Sequence, residues 1–202
     1  DWSSDVCSSD LPKFPIETYE ELPDPTPPSD KEWAAVITTQ VSWGTTDVRY
    51  AKHKLPQLKK QQIAVLKGWR GERVNAQAVV WTGAEVKDLN FSFTDFKDKK
   101  GNSLSNEAFK GGFIRYVMTD ELNKDGRGAC GHRKAVDFDS LLVADPIDTN
   151  LKSLALPSRT VQPIWVQCWI PQSAAPGTYK GALLVKDGSR LLQQLNLEIV
   201  VS

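Results

Sequence analysis

Asp120 and Glu121 form the chain's only adjacent Asp–Glu pair. Two neighbouring carboxylates in unlike surroundings can divide acid and base roles between them. Just beyond, Glu121, Asn123 and Asp125 stand at alternate positions before Gly126, in the manner of a calcium loop. Such a loop wants Asp first and a bidentate Glu at its twelfth position, where this chain has Glu121 and His132. An ordinary turn, with Asn, Asp and Gly supplying unusual backbone angles, accounts for the same residues. Cys130 and His132 lie close enough to share a metal, but zinc sites generally need three or four protein ligands, and His53 is remote in sequence. No Ser sits in a G-x-S-x-G turn to make either histidine part of a nucleophile triad. No metal and no cofactor are expected.

Two further groups have a shape suited to binding. In "GWRGERVNAQAVVWT", residues 68–82, Gly68 and Gly71 bracket Arg70, Glu72 and Arg73 ahead of a run of strand formers. The spacing predicts a turn between strands Ile63–Lys67 and Val74–Thr82, with the three ions at one end of the fold. An Arg–Glu pair there would hold two elements in register, or face a partner domain, through charge-assisted hydrogen bonds. A general acid would need a second catalytic group and a pocket, and the sequence offers neither. Trp165 and Trp169 lie on one face of a strand, roughly 13 Å apart at a strand's rise. An exposed pair could stack on sugar rings; burial in a core or against a neighbouring domain is the competing reading.

These residues sit on elements that read as strands. Ile37, Thr39, Val41 and Trp43 alternate with Thr38, Gln40 and Ser42, and Lys87, Leu89, Phe91 and Phe93 share a face opposite Asp88, Asn90 and Ser92. Ile164, Val166, Cys168 and Ile170 oppose Trp165, Gln167 and Trp169. Tyr179, Leu183 and Val185 lead through Asp187-Gly188, a hairpin dipeptide, into "RLLQQLNLEIVV". Helical period is weak and confined to "PQLKKQQIAVL", where Ile63 and Val65 fit a strand equally well. Short strands split by Gly, Pro and Asp clusters predict an all-β fold, an antiparallel β-sandwich. Thr119 to Ser140 reads as a long polar loop.

Size and charge narrow the rest. With 202 residues and 40% hydrophobic side chains, the chain can bury an ordinary core. Its net charge of zero gives nucleic acid or an anionic membrane no long-range pull. No run approaches the roughly 20 apolar residues of a membrane span, and the N-terminus lacks the basic and apolar regions of a signal peptide. Three cysteines, Cys7, Cys130 and Cys168, are too few for a disulfide framework. Cys130 and Cys168 could pair, but mid-strand Cys168 reads as a buried thiol. "DWSSDVCSSDL", residues 1–11, looks like translated adapter sequence. Residues 12–30 carry Pro12, Pro15, Pro23, Pro25, Pro27 and Pro28, half of the chain's 12 prolines, which predicts a disordered linker arm. Residues 31–202 then form a single domain that looks cut at its C-terminal end.

The ordered blocks "GWRGERVNAQAVVW", "FIRYVMTD", "LLVADPID", "QPIWVQCWIP" and "APGTYKGALLV" resemble the N-terminal β-sandwich domain of glycoside hydrolase family 123, over roughly residues 33 to 202. The resemblance implies an immunoglobulin-like or galactose-binding-like sandwich ahead of a (β/α)-barrel, in enzymes resembling exo-acting β-N-acetylgalactosaminidases. In that family an adjacent Asp–Glu pair of the barrel works by substrate assistance: the sugar's 2-acetamido oxygen attacks the anomeric carbon, the Asp orients it, and the Glu protonates the leaving oxygen. Asp120–Glu121 follows the strand "FIRYVM" inside the sandwich, so it does not match that pair. A barrel needs about 250 residues, so this chain is expected to be inactive alone, with the barrel as its partner in the same polypeptide. Glycans contacted through Trp165, Trp169 or the 120–133 loop are the alternative partner. Export to the periplasm, the cell surface or the medium, in a bacterial-type enzyme, is what the resemblance implies for location.

Overall fold

Ile164, Val166, Cys168 and Ile170 are all fully buried, while Trp169 between the last two is exposed. That two-residue alternation is what a strand shows when one face meets a core. The computed structural model describes residues 21, 23, 24, 27–119 and 141–202. Chain order is a short helix α1 (Asp30–Trp33), then β1 (Gln40–Gly44), β2 (Ile63–Gly68), β3 (Arg73–Thr82), β4 (Val86–Phe93), β5 (Phe96–Lys97) and β6 (Ser103–Leu104). A single 3-10 turn (Asn106–Ala108) precedes β7 (Phe109–Thr119), β8 (Leu141–Asp148), β9 (Ser153–Leu156), β10 (Thr160–Trp169), β11 (Gly177–Asp187) and β12 (Arg190–Val201). No helix among the described residues is long and apolar enough to cross a membrane.

The strands make two sheets. One has five strands in the order β1-β3-β10-β7-β8, the other seven, with β2-β12-β11-β4-β9 as its path and the β5–β6 hairpin attached to β11. Their facing sides share one core that includes Val80, Phe113, Ile164 and Val166 from the first sheet and Leu89, Leu183, Leu195 and Ile199 from the second. The fold is the expected β-sandwich. Among the described residues all ladders are antiparallel except one: β2 runs parallel to β12, from Asn196↔Ile63 to Val201↔Gly68. Trp43 closes the edge where β1 meets that pair. Its backbone N–H donates to Gln61 O at 2.9 Å, and its indole Nε1–H donates to Asn196 O at 2.9 Å.

Several local expectations change. The alternation beginning at Ile37 does not start a strand there: Ile37 is 80% exposed, and pairing begins at Gln40↔Trp81. At this end β3 stops at Thr82, and the chain turns at Gly83, whose backbone lies against Val36 O. Lys87 does not share the inner face with Leu89. A register shift between Val86 and Leu89 turns both of these inward, and Lys87 is exposed. The predicted turn after β2 is present, but β2 and β3 belong to different sheets and the chain crosses between them there. Elsewhere, β11 and β12 form the predicted hairpin, with Gly188 at φ 58.

Pro163 lies inside β10 and has no N–H to give the β7 ladder. Continuing the register beyond Ile164↔Phe113 would set it opposite Ile114. The buried Gln162 amide fills the gap, its Nε2 donating to Ile114 O at 2.9 Å and to Pro163 O at 2.8 Å. A buried carbonyl left without a donor would cost about 1–3 kcal/mol. This substitution of side chain for backbone lets a proline stand in a central strand.

Candidate functional site

The glycine-bracketed ions form the corner where the chain passes from one sheet to the other. Glu72 N–H donates to Trp69 O at 3.0 Å, closing a four-residue turn in which Gly71, at φ 85, takes the third position. Glu72 caps the same turn, its Oε2 accepting from Trp69 N–H at 2.8 Å. The corner is tied to the end of β10: Gly71 N–H donates to Ile170 O and Ile170 N–H to Glu72 O, both at 2.8 Å. Ser202 N–H donates to Gly68 O at 3.1 Å, so the end of β12 lies beside it too. Among the described residues no ion pair joins Glu72 to Arg70 or Arg73. Arg73 instead lies over the Trp169 ring, its guanidinium carbon 4.9 Å from the centroid.

The two tryptophans of β10 have different surroundings. Trp165 is half-buried against the cluster of Ile114, Tyr116, Leu142 and Ala144 on the outer face of the five-stranded sheet. Trp169 is 55% exposed, and its indole Nε1–H donates to Gly71 O at 3.2 Å. Beside it is a hollow of about 360 Å³ bordered by Gly71, Ser105, Glu107, Ala108, Pro171 and Gln172. Trp69, at the tip of the corner, is 68% exposed. A smaller hollow of about 190 Å³ adjoins Trp165, Gln167 and Gly112, and Gln167 Nε2 donates to Asn75 Oδ1 at 3.2 Å across the ladder. Sequence reading missed Ser105, Glu107 and Gln172. They reach Trp169 from separate segments, and no motif links them.

The described part of the Pro-rich arm is anchored to the sandwich by acids that the sequence did not single out. Glu21 pairs with Lys52 and with Arg115, the latter at 3.3 Å, and Arg115 also meets Asp148 at 3.6 Å. His53 lies 3.7 Å from Asp24, and its Nδ1 is 3.0 Å from Arg159 O. His53 is thus a bridge between arm and sheet. No group of three or more His, Cys, Asp or Glu that could hold a metal occurs among the described residues. Tyr116, fully buried beneath Lys52, donates its hydroxyl to Val161 O. Burial, and then the charge of Glu21, pushes its ionisation well above the usual phenol range.

Cys7, Asp120, Glu121, Asn123, Asp125, Gly126, Cys130 and His132 lie outside the described residues, and with them the 120–133 loop. Cys168 carries a free thiol in the core. Burial pushes its pKa from 9.0 up to about 12. The folded thiol stays neutral at pH values where the unfolded one ionises, so this contribution to stability is present below 9.0 and drains away as pH rises toward about 12. Iodoacetamide at pH 9 is therefore expected to leave Cys168 unmodified in the native protein and to alkylate it in urea. Peptide mass mapping separates it from the other cysteines; native alkylation at the rate of a free thiol would contradict its burial.

Residues 43–187 match the family described as the Glycoside hydrolase 123 N-terminal domain. Among solved structures, a family 123 glycoside hydrolase from Clostridium perfringens, analysed for glycolipid glycan hydrolysis, is similar over 82% of this chain and 27% of its own, with 21% identity and a TM-score of 0.66. That likeness supports the fold, and the chain spans about a quarter of that enzyme's length. The N-terminal domain of PorA is similar over 81% of this chain and 98% of its own, but at 7% identity and a TM-score of 0.36 it adds nothing to the assignment. No curated protein matches the chain.

Proposed function

The chain belongs to the family of glycoside hydrolase 123 N-terminal domains, and from that premise we propose that it is the non-catalytic buttress of a larger glycosidase. Its partner in this reading is a (β/α)-barrel of the same polypeptide. That barrel removes terminal N-acetylgalactosamine by the substrate-assisted route, in an exported bacterial-type protein. The observation that carries the reading is the family match over residues 43–187, together with the chain's coverage of 27% of the Clostridium perfringens enzyme.

The corner between the sheets offers a docking face for that partner. Trp69 is 68% exposed at its tip, and β12 ends beside Gly68, so residues following β12 in the longer protein leave the sandwich at this corner. Glu72 and Gly71 fix the tip rigidly, which lowers the ordering cost of packing another domain on it. In this reading Arg70, Glu72 and Arg73 serve position and contact, not proton transfer.

The test compares the 202-residue chain with the longer protein on an aryl N-acetyl-β-galactosaminide. Only the longer protein is expected to release the aryl group. Trp69→Asp is expected to lower the thermal midpoint of the longer protein while leaving that of this chain unchanged. Hydrolysis by the 202-residue chain alone would sink the buttress reading, and so would a Trp69 equally open to iodide quenching in both proteins.

A further inference from the structure

We propose that the hollow beside Trp169 is a subsite for one neutral pyranose ring. This goes beyond the buttress reading and does not depend on it, because every group involved belongs to the sandwich. A pyranose presents a C–H face and a rim of hydroxyls. Its recognition therefore needs a fixed aromatic plane next to hydrogen-bonding groups, and the hollow supplies both.

The aromatic plane is Trp169. Its ring is held by the indole hydrogen bond to Gly71 O at 3.2 Å and by Arg73 at 4.9 Å. Sheet order puts Arg73 on one flank, through the pair Trp169↔Arg73, and the Asn106–Ala108 turn on the other, through the pair Cys168↔Phe109. Arg73 occupies the β3 flank, and the hollow opens where Ala108 and Pro171 line it. A plane already held in the free protein loses little freedom when a ring stacks on it. At about 360 Å³ the space is near the small end of the roughly 300–1,000 Å³ usual for small-molecule sites.

Hydrogen bonding falls to Glu107, Gln172 and Ser105. Among the described residues neither the Glu107 carboxylate nor the Gln172 amide is hydrogen-bonded to protein, while Ser105 Oγ accepts from Glu107 N–H at 3.2 Å and keeps its own O–H to donate. Carboxylate and amide suit the vicinal hydroxyls of a sugar. Glu107 is the one ionised group among the residues bordering the hollow, and the Arg73 cation lies on the β3 flank of the Trp169 ring, away from it, so a sugar that sets its own carboxylate beside Glu107 is repelled and a neutral one is not.

The 202-residue chain is titrated with galactose, N-acetylgalactosamine and glucuronate, following the Trp169 indole N–H and the amides of residues 105–108, 171 and 172 by heteronuclear NMR. Both neutral sugars are expected to shift these signals saturably in the millimolar range, with glucuronate about tenfold weaker or worse. Trp169→Ala is expected to abolish the shifts and Trp69→Ala to preserve them. Glu107→Gln, an exposed change that leaves the fold alone, is expected to bring glucuronate level with galactose. The proposal is overturned if no shifts localise to these residues, if binding survives Trp169→Ala, or if the wild-type chain binds glucuronate as well as galactose.

Discussion

Replacing Trp43 with alanine is expected to cost about 3–5 kcal/mol of unfolding free energy, the range for losing a large buried aromatic. Trp43 is 2% exposed and belongs to the shared core, yet it stands on an edge strand of the five-stranded sheet. Its indole bonds Asn196 O of β12, so one side chain spans the two sheets at the place where their edges meet. Removing it leaves a cavity there and also severs that tie. Trp43→Phe separates the two effects: it keeps much of the aromatic volume and loses the hydrogen bond, worth roughly 1 kcal/mol net. With total stabilities of about 5–15 kcal/mol for domains of this kind, the alanine variant should show a urea midpoint far below wild type. A shift of the alanine variant no larger than that of the phenylalanine variant would mean that the edge is closed by something else.

Gly181→Val is the second large effect, and it works by excess volume. Gly181 closes the Pro-Gly-x-Tyr-x-Gly block on β11. A Cβ built on it would stand 2.7 Å from two ring atoms of Phe96 and 2.8 Å from a third. Phe96 cannot retreat, being fully buried and stacked on Phe109 with centroids 4.0 Å apart. Overpacking of this kind costs about 1–3 kcal/mol and occasionally more. The β5–β6 hairpin, which reaches β11 through Lys97↔Lys180, should be displaced first. Faster amide exchange at Phe96–Leu104, alongside a lowered urea midpoint, is the expected signature. Unchanged exchange in that hairpin would show that the core accommodates the methyls by another movement. Gly101, with φ 88 and no heavy atom within 4 Å of an added Cβ, is a useful contrast. There alanine strains the backbone alone, at about 1 kcal/mol.

Period-two patterning made the sandwich legible because the second half of β10 and most of β12 bury alternate residues and leave those between them more open. The turn after Asp187 was legible because its first loop residue, Gly188, takes a positive φ that glycine accepts freely, with Asp187 itself still paired to Arg190. The bulge in β4 was hidden, since Lys87 fits the alternation of Leu89, Phe91 and Phe93 in sequence and leaves it only through a register shift with β9. The crossing of β2 to the second sheet was hidden too, because its ladder partner is β12, far along the chain. At the candidate site the corner glycines and Trp169 stood out. The partners chosen by the ions did not, because Arg73 prefers an aromatic face and Glu72 a backbone N–H over each other, and three-dimensional proximity decides that. Ser105, Glu107 and Gln172 are unremarkable polar residues until the 3-10 turn and the end of β10 bring them together.

The lone parallel ladder has a consequence for how this domain comes into being on the ribosome. β2 is synthesised early, yet its ladder partner β12 is the last of the sandwich's described strands to emerge. During synthesis Ala64 and Leu66, which pack on the shared core in the finished sheet, therefore wait without a sheet to join, while the neighbouring β3 can settle against β1. Closing so long a loop before any reward is gained makes the second sheet a late and slow event. Cotranslational maturation would then run from the five-stranded half to the seven-stranded half, and a ribosome stalled before Arg190 would hold a nascent chain with a sticky, chaperone-seeking flank.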